Sequence, residues 1–319
     1  MMIRSLHEVS KLAKEKGPKK LAVLAPEDGE FMMAVKEGWE RKYIEPVLIG
    51  HPEKMKKIAA EVGFDISRVE QIFEADRQAV ANLGTAMLFA GSVDMASKGQ
   101  IPTSFIYRAI IREEARAGTG RTVSVVSLWE IPELNRFIAF TDTGVNIKPD
   151  DKAKAEVIRN AVFVFHVLGY PRPKIAVLSG LREIGGSIAS YEDALLLKQM
   201  AAAGAFGDCE IVEATSFGAI FLGQKGPWVR YDDIDLSRMP DILLVPNLDT
   251  GNVLVKLDFF LPVHRRSLVV TSKGPFLIPS RSDFCDSILG EIAMGVVVAF
   301  IVFSILMPIL QINSLAGGT

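Results

Sequence analysis

The chain has 319 residues, 49% of them hydrophobic, with 36 basic against 38 acidic side chains and a formal charge of −2. That length exceeds what one hydrophobic core usually serves, so two domains are expected, and a near-neutral chain without a basic block offers nucleic acid no electrostatic footprint. Two cysteines, Cys209 and Cys285, and four scattered histidines, His7, His51, His166 and His264, exclude a disulfide framework and a zinc site of paired ligands; His166 reads as a helix-face residue.

Taken in order, residues 5–16 carry the mixed apolar and Lys/Glu pattern of a surface helix, and 21–25 read as a buried strand ending at Pro26. Charged residues run through the first twenty positions and no apolar core is present, so no signal peptide is expected there and the folded domains are expected in the cytoplasm. A helix over 29–43, a strand over 46–50, a helix beginning near His51-Pro52 and an Ala-rich helix over 77–90 follow. Residues 92–96 lead into Lys98-Gly99, and Thr103 or Ser104 is expected to cap a helix bearing Tyr107 and Arg108, whose first-turn N–H groups favour an anion.

Strands are predicted over 124–129 and 136–140, then a polar boundary over 141–149 containing Gly144 and Pro149, then a helix over 152–167. A strand at 174–179, a helix at 191–203 and a strand at 241–246 continue the alternation. The turn 247–252 follows, and then Lys256 on a helix. Strands at 268–270 and 276–278 end at Pro279-Ser280-Arg281-Ser282-Asp283, where an apolar run stops and a hydroxyl, a guanidinium and a carboxylate follow together, as at the rim of an α/β sheet. Ser280 and Arg281 suit a phosphate, and Asp283 suits a proton acceptor. The alternation predicts an α/β fold of two three-layer α/β/α domains with mostly parallel sheets and a cleft between them. Residues 1–148 with 274–291 form the first domain and 149–273 the second.

After Glu291 no charged residue occurs, and 294–310 form an apolar run of nearly the length a bilayer needs. Residues 293–311 are read either as an inner-membrane tether, favoured by the absence of a polar face, or as a buried final helix, favoured by Pro308 and the polar residues after it.

Several spaced stretches together resemble the phosphate acetyl/butyryltransferase family over about residues 15–290. They are Lys98-Gly99-Gln100-Ile101-Pro102-Thr103, Thr141-Asp142-Thr143-Gly144-Val145-Asn146-Ile147-Lys148-Pro149-Asp150, Asn160-Ala161, Lys174-Ile175-Ala176-Val177-Leu178-Ser179, Asp241-Ile242-Leu243-Leu244-Val245-Pro246, Gly251-Asn252-Val253-Leu254-Val255-Lys256 and Ser280-Arg281-Ser282-Asp283, most like the butyryl branch. The resemblance implies reversible transfer of a short acyl group between coenzyme A and inorganic phosphate, with coenzyme A as substrate, no tightly bound cofactor or metal, and a homo-oligomer. It implies Asp283 as base, with Asp286 as the alternative, beside Ser280 and Arg281, and Arg108, Thr103, Lys98, Asn252 and Lys256 as substrate contacts. On spacing alone Arg108 is a solvated helix charge, Asn252 a turn residue and Lys256 a surface lysine. The family's closing helix commonly carries a lysine that is absent after Asp283 here. The apolar tail resembles the last transmembrane helix of type II secretion inner-membrane platform proteins. Two other functions fit the same residues: a phosphate acyltransferase fed by acyl carrier protein, and a membrane-tethered coenzyme A-binding protein without catalysis. A dinucleotide dehydrogenase is disfavoured because Gly118-Thr119-Gly120 lacks the third glycine and the preceding strand.

Overall fold

The computed structural model describes residues 2–180, 188–222 and 238–316, with the side chains of 133, 221–222 and 301–316 outside that description. The chain divides into two compact units: a flanking unit of Leu6–Arg121 with Arg266–Thr319, and an inserted unit of Met1–Ser5 with Thr122–Arg265.

The flanking unit begins with α1 (Leu6–Lys16), β1 (Lys19–Leu24), α2 (Gly29–Glu40), β2 (Ile44–Gly50), α3 (Pro52–Glu61), β3 (Glu70–Phe73), α4 (Arg77–Phe89), β4 (Met95–Lys98) and α5 (Thr103–Ala117). Aspartates start two of these helices: Asp28 Oδ1 accepts the Phe31 N–H and Asp76 Oδ1 the Ala79 N–H, satisfying donors that the first turn leaves over. At α5 the expected cap is absent. Pro102 occupies the cap position without a side-chain bond, because Thr103 is already the first helical residue, and the helix ends at Gly118 with φ 62°, a left-handed value that glycine adopts without strain.

The inserted unit holds β5 (Ser124–Ile131), β6 (Arg136–Thr141), α6 (Asp151–Val167), β7 (Lys174–Val177), α7 (Ala189–Ala202), β8 (Glu210–Ile211), α8 (Phe217–Leu222), β9 (Ile242–Leu244) and α9 (Leu248–Val255). Its strand order is β5-β6-β9-β7-β8, parallel except for the β5/β6 hairpin. The chain then returns through β10 (His264–Val270), β11 (Pro275–Leu277) and α10 (Cys285–Ala316). The flanking sheet is ordered β3-β2-β1-β4-β11-β10, parallel except for β10 against β11.

The unit boundaries differ from those expected at 148 and 273. The segment 141–149 lies inside the inserted unit because β6 pairs directly with β9, and the chain changes units at Arg121/Thr122 and Arg265/Arg266. Two strands had no sequence signal: β3 is half exposed, and β8 is only two residues long.

α10 decides between the two readings of the apolar tail as far as its side chains are described. Residues 292–299 are all buried, and α10 packs against α1, α2 and β11. A Cβ built at Gly295 would lie 3.0 Å from both Leu277 Cδ2 and Met95 Sδ, so the helix backbone rests closely on the sheet. At Phe300 the ring meets the Lys16 and Lys19 ammoniums, 4.5 and 5.5 Å from its centroid. Among the described residues no helix is long and apolar enough to cross a membrane. The first part of the expected 293–311 span is therefore core of the flanking unit, and the side chains of its remainder lie outside the described residues.

Candidate active site

In the flanking unit β4 and β11 run parallel, with Phe276 opposite Ala96 and Leu277 opposite Ser97. Parallel pairing brings both C-terminal ends to one edge, so Lys98 and Ser280 arrive together although 182 positions separate them in the sequence. Gly99 is required there: a Cβ would stand 2.3 Å from the Ala25 carbonyl oxygen and 2.9 Å from Phe31 Cδ1. The Gly99 N–H donates to Leu24 O and the Gln100 N–H to Ala25 O, which ties the end of β4 to β1.

The turn after β11 closes on itself. Asp283 Oδ2 accepts the Ser280 N–H at 2.8 Å, the Asp283 N–H donates to Ser280 O at 3.1 Å, and the Ser280 and Ser282 hydroxyls are 3.0 Å apart. Arg281 is exposed at its tip. Lys98, Ser280, Arg281 and Asp283 line one small open recess of about 20 Å³, together with Asp28, Phe31 and Gln100.

Lys98 is 4% exposed. Burial pushes its ammonium below the usual lysine range, Glu291 and Asp283 pull it back, and the Arg281 charge adds to the depression. Glu291 on α10 is 2% exposed and accepts the Ser267 N–H at 3.0 Å. The recess thus contains two cationic groups, Lys98 and Arg281, and two carboxylates, Asp28 and Asp283, in a partly dry setting, with groups suited to holding an anion and to taking up a proton.

Other expected contacts lie elsewhere. Thr103 is half buried at the start of α5, while Arg108 is exposed with its guanidinium 5.7 Å from the Phe105 ring centroid. The neighbouring Arg112 and Arg116 pair with Glu113. Asn252 and Lys256 are exposed on α9 of the inserted unit, Lys256 as its C-cap. Asp286 is exposed in the first turn of α10 and does not line the recess.

The Asp142 stretch acts as a knot inside the inserted unit. Asp142 Oδ1 accepts N–H groups from Val125, Gly144 and Val145, and Oδ2 accepts the Asn146 N–H and amide. Burial pushes its carboxyl up and these donors oppose the shift.

Sequence reasoning missed Asp28 and Glu291. Asp28 follows the first strand as a helix cap, the usual place for an edge residue of an α/β sheet. Glu291 is the last charge before an apolar run, and such a residue needs either water or a partner.

Two mostly parallel α/β units, one of which presents these groups at the carboxyl edge of its strands, define an α/β enzyme that handles anionic substrates. A branched-chain phosphotransacylase from Enterococcus faecalis V583 has the same fold with a TM-score of 0.68 at 21% identity, covering 88% of this chain and all of that one. A phosphotransacetylase from Streptococcus pyogenes gives 0.70 at 18%, covering 92% and 98%. In sequence the chain is 27% identical to the phosphate butyryltransferase of Clostridium acetobutylicum, covering 93% of this chain and 99% of the relative. It is 28% identical to the phosphate acetyltransferase of Thermotoga maritima, covering 92% and 99%. The family model described as phosphate acetyl/butaryl transferase matches residues 73–294, and the chain belongs to that family. It is an acyltransferase of the class that moves an acyl group reversibly between coenzyme A and phosphate, with coenzyme A as substrate.

Proposed function

We propose that the acyl group is short, butyryl or one of similar size, and that the chemistry takes place at the Lys98 recess. The observation carrying this reading is the convergence of Lys98, Ser280, Arg281 and Asp283 on one wall from two distant strands. The butyryl assignment is supported by two phosphate butyryltransferases, from Clostridium acetobutylicum and Clostridium beijerinckii, that match 93% of the chain.

In the direction of acyl-CoA synthesis Asp283 takes the thiol proton, the sulfur attacks the acyl carbonyl, the C–O bond to phosphate breaks, and phosphate leaves against Arg281 and Lys98. Their positive charges offset the charge that grows on the departing oxygens, and the Ser280 hydroxyl donates to the same group. In the other direction a phosphate oxygen attacks the thioester and the coenzyme leaves as thiol, its proton returned by Asp283. Both substrates are held together, so positioning supplies much of the rate and no covalent enzyme intermediate is required. Asp283 is favoured over Asp286 as base because only Asp283 lines the recess. Thr103, Arg108, Asn252 and Lys256 are proposed contacts of the coenzyme's phosphates and pantetheine. The homo-oligomer is supported by the exposed run Val253, Leu257, Phe259, Phe260 and Leu261, with Phe260 84% exposed, since such a patch favours a second surface.

The test is phosphate-dependent thiol release from acetyl-, butyryl- and octanoyl-CoA by the full chain and by Arg281→Ala. Fastest turnover of butyryl-CoA, lost in Arg281→Ala, supports the reading. A preference for octanoyl groups on acyl carrier protein would replace it with the carrier-dependent reaction, and coenzyme binding without any turnover with the non-catalytic one. The buried side chains of residues 292–299 serve the flanking core and give a tether no support.

A further inference from the structure

The inserted unit has a recess at the amino ends of its strands. Arg136 opens β6, Asp241 stands immediately before β9, and Tyr170 and Arg172 lead into β7. With Arg4 from the N-terminal segment, these residues wall an open recess of about 410 Å³, within the size range of small-molecule sites.

The lining carries three guanidiniums to one carboxylate, and Asp241 is already engaged: its Oδ1 is 2.9 Å from Arg136 Nη2 and its Oδ2 accepts the Lys174 N–H at 2.7 Å. Arg136 Nη2 also donates to Met239 O at 2.6 Å, yet Arg136 Nε is buried with no hydrogen-bond partner among the described residues. A buried donor left in this state is costly unless something else fills it. Arg172 reaches Asp208 only at 3.7 Å between two largely exposed side chains, a weak pair that a better acceptor would displace. Tyr170, 4% exposed, accepts the Phe137 N–H at 3.0 Å and has an O–H of its own to give. Leu134 and Pro171 supply an apolar wall.

We propose that this recess binds a small organic polyanion, a di- or tricarboxylate or a phosphomonoester, held by Arg4, Arg172 and Tyr170 with its carbon skeleton on Leu134 and Pro171. A carboxylate or phosphate matches the guanidinium fork, two such groups answer the charge excess, and the apolar wall favours an organic body over a bare inorganic ion. None of the acyl-transfer residues belongs to this recess, so the site stands whether or not the acyl specificity proposed above is right.

Calorimetric titration of the full chain with citrate and with 3-phosphoglycerate tests it. The wild type is expected to bind at least one of them, more weakly as salt rises. The exposed-residue double variant Arg4→Ala/Arg172→Ala is expected to bind at least roughly tenfold more weakly, as loss of charge-assisted bonds implies. Lys98→Ala, altered only in the acyl-transfer recess, is expected to bind as the wild type does. Equal binding by the double variant, loss of binding in Lys98→Ala, or no heat from either probe at millimolar concentration would overturn the proposal.

Discussion

Lys98 shows how much of a side chain's chemistry is decided away from its own segment. Its neighbours in sequence say only that a lysine ends a strand, whereas burial and the charges of Glu291, Arg281 and Asp283 set its proton affinity. Removing it or Arg281 should leave the fold intact and lower kcat/KM by roughly 10²–10³, the usual effect of deleting one charge-stabilising donor. Circular dichroism beside steady-state rates checks both halves. Asp283→Asn should abolish the base limb of the rate profile while Asp286→Asn keeps it; the reverse result would move the base to Asp286. The cysteine thiols give a separate test. Burial, then the Glu37 and Asp286 carboxylates, push Cys285 up from 9.0 to about 11, and burial also raises Cys209. A raised thiol stays protonated where the unfolded chain ionises, so Cys285 is unreactive near neutrality and its stabilising contribution is lost as pH rises from 9.0 to about 11. Alkylation by iodoacetamide should be about 100-fold slower than for free cysteine at pH 8, and rise steeply above it.

At the scale of elements, the closing helix and the Asp142 turn carry the sharpest consequences. Val297 is 1% exposed in the packed half of α10, so Val297→Asp places an unpaired charge in the flanking core and should cost about 3–5 kcal/mol in urea unfolding. Truncation after Gly290 removes the buried residues 292–299 and should yield aggregated or partly folded protein; a well-folded truncate would mean that the helix is not part of the core. Asp142→Asn keeps the shape but turns an NH2 toward N–H donors, and about 2 kcal/mol of stability should be lost. That turn was legible as a signature stretch in sequence. Its role as a five-donor knot was not, because Val125 approaches it only through the β5/β6 pairing.

For the whole molecule, ligand binding and folding are linked. Butyryl-CoA with phosphate should raise the melting temperature, and the stabilisation behind the shift grows with ligand concentration to about 2.7 kcal/mol at a hundredfold excess over Kd. Arg281→Ala should lose the phosphate part of the shift, read by calorimetry or differential scanning fluorimetry. The fold class was accessible before any coordinates: alternating apolar runs and helical periods, the proline after β1 and Ser280-Arg281-Ser282-Asp283 after β11 all stand where sequence reading put them. Short or half-exposed strands such as β3 and β8 escaped, since the first lacks a clean alternation and the second lacks length.

Local patterning by itself determined the α/β alternation and the residue types at the strand end that point to phosphate chemistry. Tertiary structure alone decided which residues meet. The parallel pairing of β4 with β11 joins Lys98 to Ser280, α10 folding back brings Glu291 beside them, and the β6/β9 ladder moves the unit boundary away from the polar segment at 141–149. The apolar tail makes the physical reason plain: hydropathy reports that residues 292–299 must leave water, and only the packing of α10 on α1, α2 and β11 says what they leave it for.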